Sequence, residues 1–139
     1  MFKKNPYYKK REILGKLIVI LDSFLEKRSL NLIEPISRVI NKHDIHELIT
    51  TDEMDIKPGK TVNKIAYIGF FEVLEGGVLL VGDSVFIKNE LIGKVVGFDD
   101  THIPNHQNII LFTPKRKTGA ELGLNIEDKI LITREFKGE

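Results

Sequence analysis

Short apolar runs follow one another along the chain, broken at close intervals by Gly, Pro, Asn and Asp, and no long amphipathic helix pattern competes with them. Leu14 to Leu21 (LGKLIVIL), rich in Ile and Val, reads as a buried strand. Asp22-Ser23 is placed to cap a short helical turn through Leu25 to Arg28, after which Asn31 to Glu34 resumes extended structure until Pro35 interrupts it. Ser37 to Ile40 and Ile45 to Thr51 are further strands, separated by the polar turn Asn41 to Asp44. Asp52 to Lys60 is a loop containing the turn dipeptide Pro58-Gly59. Thr61 to Leu74 partly fits a helix. Gly69 among aromatic and β-branched residues favours a strand with a bulge instead.

The chain is organised around Val81 to Phe112. Gly76-Gly77 predicts a hairpin turn into Val78 to Val81, and Gly82-Asp83 turns the chain again into Ser84 to Ile87. Leu91 to Phe98 follows, then a ten-residue polar loop from Asp99 to Asn108, then the apolar strand Ile109 to Phe112. A basic connection (Thr113 to Thr118) and a tight apolar turn (Gly119 to Leu124) lead to a last strand at Lys129 to Thr133. Asp83 and Asp128 each precede an alternating apolar run, an Asp-led strand entry that recurs in small barrels. The pattern predicts an all-β fold: a small closed or nearly closed β-barrel of seven to nine short strands, forming one domain over residues 1–139.

Composition narrows the partners. A length of 139 residues suits one core without metal or disulfide staples, and 42% hydrophobic with 29% charged residues is ordinary for a soluble globular protein. A net charge of +1 supplies no bulk field to attract nucleic acid or an acidic membrane, so nucleic acid is an unlikely partner. The absence of cysteine rules out disulfides and thiolate chemistry and suits a cytoplasmic location. Residues 1–13 are strongly basic, with Tyr7 and Tyr8 among the lysines, and read as a solvated N-terminal arm rather than a phosphate grip. No secretory signal is read, because the apolar run Leu17 to Leu21 ends at Asp22, and no run is long enough for a membrane helix.

The chemistry lies with the histidines. All four fall in two pairs, His43 with His46 and His102 with His106, and imidazole serves as metal ligand, acid, base or phosphate acceptor. On a strand, His46 and Glu47 point to opposite faces. His102 and His106 have helical spacing, but Pro104 between them argues against a helical metal motif. A loop can still converge His102 and His106 on Asp99 or Asp100, making His102, His106 and Asp100 candidate ligands for a divalent metal. The loop's Asp and Asn residues also suit plain turn chemistry, yet two His, two Asp and two Asn exceed what a turn requires. Asp52, Glu53 and Asp55 form an acidic loop, and Lys115 to Lys117 a basic tip; both read more simply as solvated turns. Walker, dinucleotide, serine-elbow and zincin motifs are all missing.

Gly82-Asp83 leading a strand, Val96-Gly97 before a polar loop, Ile109 to Phe112, and Asp128-x-Ile130-x-Ile132 together make residues 81–132 resemble the IIA proteins of the glucitol/sorbitol phosphotransferase system. The segment His43 to Leu48 is similar to their histidine-rich segment ending in Glu-Leu. That resemblance implies an all-β fold and a phosphohistidine, carried here by His46. As a whole the chain looks like the uncharacterised families of small bacterial β proteins. Three functions follow as expectations. The first is a binding module holding a small polar molecule or a metal with Asp99, Asp100, His102, Asn105 and His106, joined by Glu47. The second is a phosphocarrier or acid–base enzyme with His46 as the catalytic residue. The third is a homo-oligomeric interaction protein assembled through edge strands.

Overall fold

Every second residue from Ile13 to Leu17 is buried, the period-2 signature of a strand with one face on a core. In a computed structural model, which describes residues 12–103 and 105–134, this segment opens an all-β architecture. The elements in chain order are β1 (Ile13–Ile20), β2 (Phe24–Leu25), β3 (Leu30–Asn31), β4 (Ser37–Ile40), β5 (Ile45–Thr51) and β6 (Thr61–Val62). They continue with β7 (Ile65–Glu75), β8 (Gly77–Leu80), β9 (Ser84–Ile87), β10 (Glu90–Asp99), β11 (Asn108–Phe112) and β12 (Lys129–Thr133).

Seven strands close into a ring in the order β1-β12-β9-β10-β11-β5-β7, with β7 pairing back onto β1. β2 continues along the same side of β7, Phe24 opposite Ala66, so residues 24–25 are extended and the helical turn expected at Leu25 to Arg28 is absent. The backbone of β7 supplies the reason: Tyr67 N–H donates to the Ser23 carbonyl at 3.0 Å, and a helix there would forfeit such partners. The Gly76-Gly77 hairpin also needs correction. β8 does not fold back on β7 but pairs with β4 in a separate two-stranded ribbon. Gly76 serves that ribbon by close approach, since a Cβ there would collide with the Ile40 carbonyl oxygen. The tight hairpin lies instead between β9 and β10, where Lys88 and Asn89 both adopt positive φ (55° and 68°), as a type I′ turn requires. Of the basic arm expected over residues 1–13, residues 1–11 lie outside the described residues, and Ile13 already belongs to β1.

One face of the ring packs Leu17, Leu48, Phe71, Phe98, Ile109 and Leu111 into the larger core. The opposite face of β5, β7 and β11 carries a second core of Ile49, Ile65 and Ile110, covered by Leu30 and Val62 from the β3–β6 ribbon and by Leu32 just after β3. Ile109 and Leu111 thus face one core while Ile110 faces the other, which explains why β11 reads as a continuous apolar run. All ring pairings are antiparallel except β5 with β11. Their parallel pairing brings the starts of both strands to one end of the ring.

The bulge predicted at Gly69 is present. Opposite β5 the register skips Ile68, and opposite β1 it shifts between Leu17 and Val19. Gly69 has φ +154° there, and a Cβ would collide with the Val19 carbonyl oxygen. Gly69→Ala is therefore expected to destabilise the protein by roughly 3 kcal/mol, from overpacking plus backbone strain. Urea denaturation measures this, and an unchanged midpoint would show that the bulge accommodates a side chain.

Candidate functional site

A single rung of side chains crosses four strands at one end of the ring: Asp99 on β10, Asn108 on β11, Glu47 on β5 and Phe70 on β7 are paired in register. Their parity places them on the face of the second core, where Glu47 is in step with Ile49 and Asn108 with Ile110. His46 points the other way, in step with Leu48, its ring centroid 6.3 Å from that of Phe71. Sequence parity thus separates His46 from Glu47, as expected.

The loop after β10 folds over this rung. Asn105 and His106 N–H groups both donate to the His102 carbonyl, at 2.8 and 3.2 Å, forming one isolated turn. The turn stacks the His102 ring on His106 at 4.9 Å, so the spacing of four residues brings the pair together without a helix. His106 meets Phe70 edge-on at 5.0 Å and places its Nε2 3.4 Å from Glu47 Oε1. His102 is exposed, whereas Glu47 is 6% exposed. Two buried polar atoms in this corner, His106 Nε2 and Asn108 Oδ1, have no hydrogen-bond partner among the described residues.

Burial sets the electrostatics. It pushes the Glu47 carboxyl up to about 7, opposed by the charge of Arg28. It also holds His106 below the usual imidazole value; the His102 and His46 rings add to that depression, and the Asn108 amide counters it. Near neutral pH an acid poised to give a proton therefore stands beside an imidazole that resists carrying one.

Other expected site residues are spent on scaffolding. Asp99 Oδ2 accepts the Asn31 N–H at 3.1 Å, and Oδ1 accepts Thr101 N–H at 2.9 Å and Asn108 Nδ2 at 3.3 Å. Asp100 Oδ2 takes the Arg38 guanidinium at 2.8 Å while Oδ1 takes Gln107 Nε2 at 2.6 Å. That engagement removes Asp100 from the expected set with His102 and His106. Among the described residues no three His, Asp or Glu side chains are grouped to hold a metal ion. Asn105 is exposed and enters the turn through its backbone. His46 Nδ1 accepts the Gln107 N–H at 3.0 Å, and its Nε2 lies 3.3 Å from Asp44 Oδ2, so both ring nitrogens are engaged. His43 stands apart, at the surface near Glu72. Of the first histidine pair, only His46 reaches the loop.

The loops read as solvated turns are structural too. Glu53 Oε2 accepts the N–H groups of Asn63 and Lys64, and Arg116 bridges Asp52 and Glu26. Phe70, Gln107, Asn108 and Arg38 were not singled out as site residues. Gln107 and Asn108 sit inside the polar loop and carried a signal; Phe70 and Arg38 join only through pairing with segments distant in sequence. A separate open cavity of about 600 Å³ at the β9 and β12 strands, lined by Phe86, Lys88 and Asp128 among others, contains no histidine.

The fold and site define a closed all-β protein with a buried acid beside an imidazole at the ring's end. The chain belongs to the family of unknown function DUF6917, whose model matches residues 7–133. No curated protein and no solved structure matches it, so the similarity to phosphotransferase IIA proteins gains no support. Among the described residues no helix is long and apolar enough to cross a membrane.

The raised Glu47 affinity has a definite sign. Between pH 4.5 and about 7 the folded protein holds a proton that the unfolded chain releases, so this contribution is full below 4.5 and lost as pH rises through about 7. Glu47→Gln, an uncharged mimic of the acid, is expected to match wild type at pH 4 and exceed it by up to roughly 3 kcal/mol at pH 8. Urea denaturation at both pH values checks this. Equal differences at the two would mean that Glu47 is not held neutral.

Proposed function

We propose that the protein binds a small, uncharged polar molecule at the corner formed by Glu47, His106 and Asn108. The observation that carries this reading is a pair of buried atoms without a hydrogen bond, Asn108 Oδ1 and His106 Nε2, the latter meeting Glu47 Oε1 only at 3.4 Å. Native structures leave few such atoms without a partner, and a ligand bearing both a donor and an acceptor satisfies both. The absence of net charge on the ligand follows from the site, where burial favours a neutral Glu47 and neutral His106. Phe70 and the exposed His102 ring add apolar and stacking surface beside those polar groups.

Proton transfer to a bound ligand is the second reading, favoured by the carboxyl held near 7 within 3.4 Å of the imidazole. No observation favours a phosphocarrier at His46, whose ring nitrogens are both engaged. A cytoplasmic setting fits a chain without cysteine.

Titration calorimetry at pH 7 against a panel of amides, ureas and free nucleobases tests the binding reading. At least one compound is expected to bind. Asn108→Ala and His106→Ala, each confirmed folded by circular dichroism, should each weaken it tenfold or more, and the distant His43→Ala should leave it unchanged. A panel without a binder, or a binder indifferent to both site variants, would sink the assignment.

A further inference from the structure

We propose that His46 is an acid-sensitive latch on the loop that covers the site, because its Nδ1 accepts the backbone N–H of Gln107 and protonating that nitrogen sets two N–H donors face to face. As a regulation of the ligand corner, this rests on the binding reading above; as a property of the loop, it does not.

The geometry restricts the ring to one tautomer. With Nδ1 accepting from Gln107 at 3.0 Å, the single proton of the neutral ring sits on Nε2, directed at Asp44 Oδ2 3.3 Å away. A second proton has nowhere to go but Nδ1. The acceptor is then lost and the Gln107 N–H, in a partly buried setting, is left facing another donor. Gln107 directly follows His106, the residue that reaches over Glu47 and stacks with His102. Displacing the Gln107 amide therefore acts where the lid meets the site. The other ties of the loop lie toward its start: Asp99 with Asn31 and Thr101, and Asp100 with Arg38. The Gln107 side chain keeps its bonds to Asp99 and Asp100, and its carbonyl still accepts the Glu47 N–H. Among the described residues the motion therefore falls on His102, Ile103, Asn105 and His106, pivoting on Gln107.

The groups that face His46 set the pH of release. Asp44, in the turn before β5, favours the charged ring, while burial opposes it more strongly. The loop contributes the His106 ring, whose proton affinity His46 in turn lowers. β7 presents Phe71 rather than an ionisable group, and the neighbouring Glu72 lies against His43. Glu47, next in sequence, points to the other face and toward His106. Protonation of His106 leaves the acceptor of the Gln107 N–H in place, since that acceptor is His46 Nδ1, and it gains no ion pair from Glu47, which stays neutral up to about pH 7. Release therefore belongs to His46 alone, below its ordinary pKa, and the two histidines are separable by experiment.

Nuclear magnetic resonance on the full chain, without added ligand, reads the latch directly. Between pH 7.5 and 5 the Gln107 amide shift is expected to titrate with the midpoint of the His46 ring protons. Amide protection factors of His102, Ile103, Asn105 and His106 should fall at least tenfold across it. His46→Asn keeps a side-chain oxygen near the Nδ1 position that accepts at every pH, so protection should persist to pH 5. His46→Ala should lose protection already at pH 7.5; if it fails to fold, the Asn comparison decides alone. A Gln107 shift that follows the His106 midpoint, or a His46→Asn protein that loses protection as wild type does, would overturn the latch. A latch that responds in a protein with no calorimetric binder would leave the latch standing and remove the binding reading.

Discussion

Closing a sheet on itself imposes one demand from which the rest follows: each ring strand must satisfy two neighbours while the sheet bends enough to meet its other end. β7 bears most of that demand, pairing with β5 along one side and with β1 and then β2 along the other. An unbroken pleat of eleven residues would run too straight for this. The bend is concentrated around Gly69, where β7 slips by one residue against β5, β1 slips by one residue opposite Phe70 and Phe71, and the Val19 carbonyl comes too close for any side chain at Gly69. The ring thus depends on one residue that contributes no side chain at all.

Closure also fixes where polar chemistry can reside. Both faces of β5, β7 and β11 are occupied by apolar cores, so acids and imidazoles on these strands are pushed to the end where the cover stops. Glu47 sits at that margin, close enough to the second core to lose its water and far enough along the strand to meet the loop. Its burial carries a stability penalty above neutral pH that a glutamine would avoid. Groups kept at such a cost commonly serve binding or proton transfer.

Much of the architecture was legible because it rests on local signals. The Ile- and Val-rich run of β1, the polar turn before β5 and the out-of-place Gly69 each announce themselves within a few residues. The failures are equally local in origin. Gly76-Gly77 carries the signal of a hairpin, but the partner of β8 is β4, some forty residues earlier, and no short-range pattern reveals it. Asp22-Ser23 resembles a helix cap because capping chemistry is blind to β7 standing ready as a backbone partner. In the site, the composition of the loop marked His102, His106 and the two aspartates. It did not show that Asn31 and Arg38 would claim those carboxylates, nor that Phe70 would complete the rung, since these are facts of register. His46 was found for its imidazole, but its hydrogen bonds make it a fastener rather than a nucleophile.

The place of β12 has a consequence for biogenesis. This strand lies between β1, the earliest ring strand, and β9, so both expose an unpaired edge until residues 129–133 have left the ribosome. Until then the sheet keeps two open flanks able to capture a strand from another nascent chain. The alternating apolar run Ile130-Leu131-Ile132 that finally seals the gap is therefore a safeguard against aggregation as much as an element of the core.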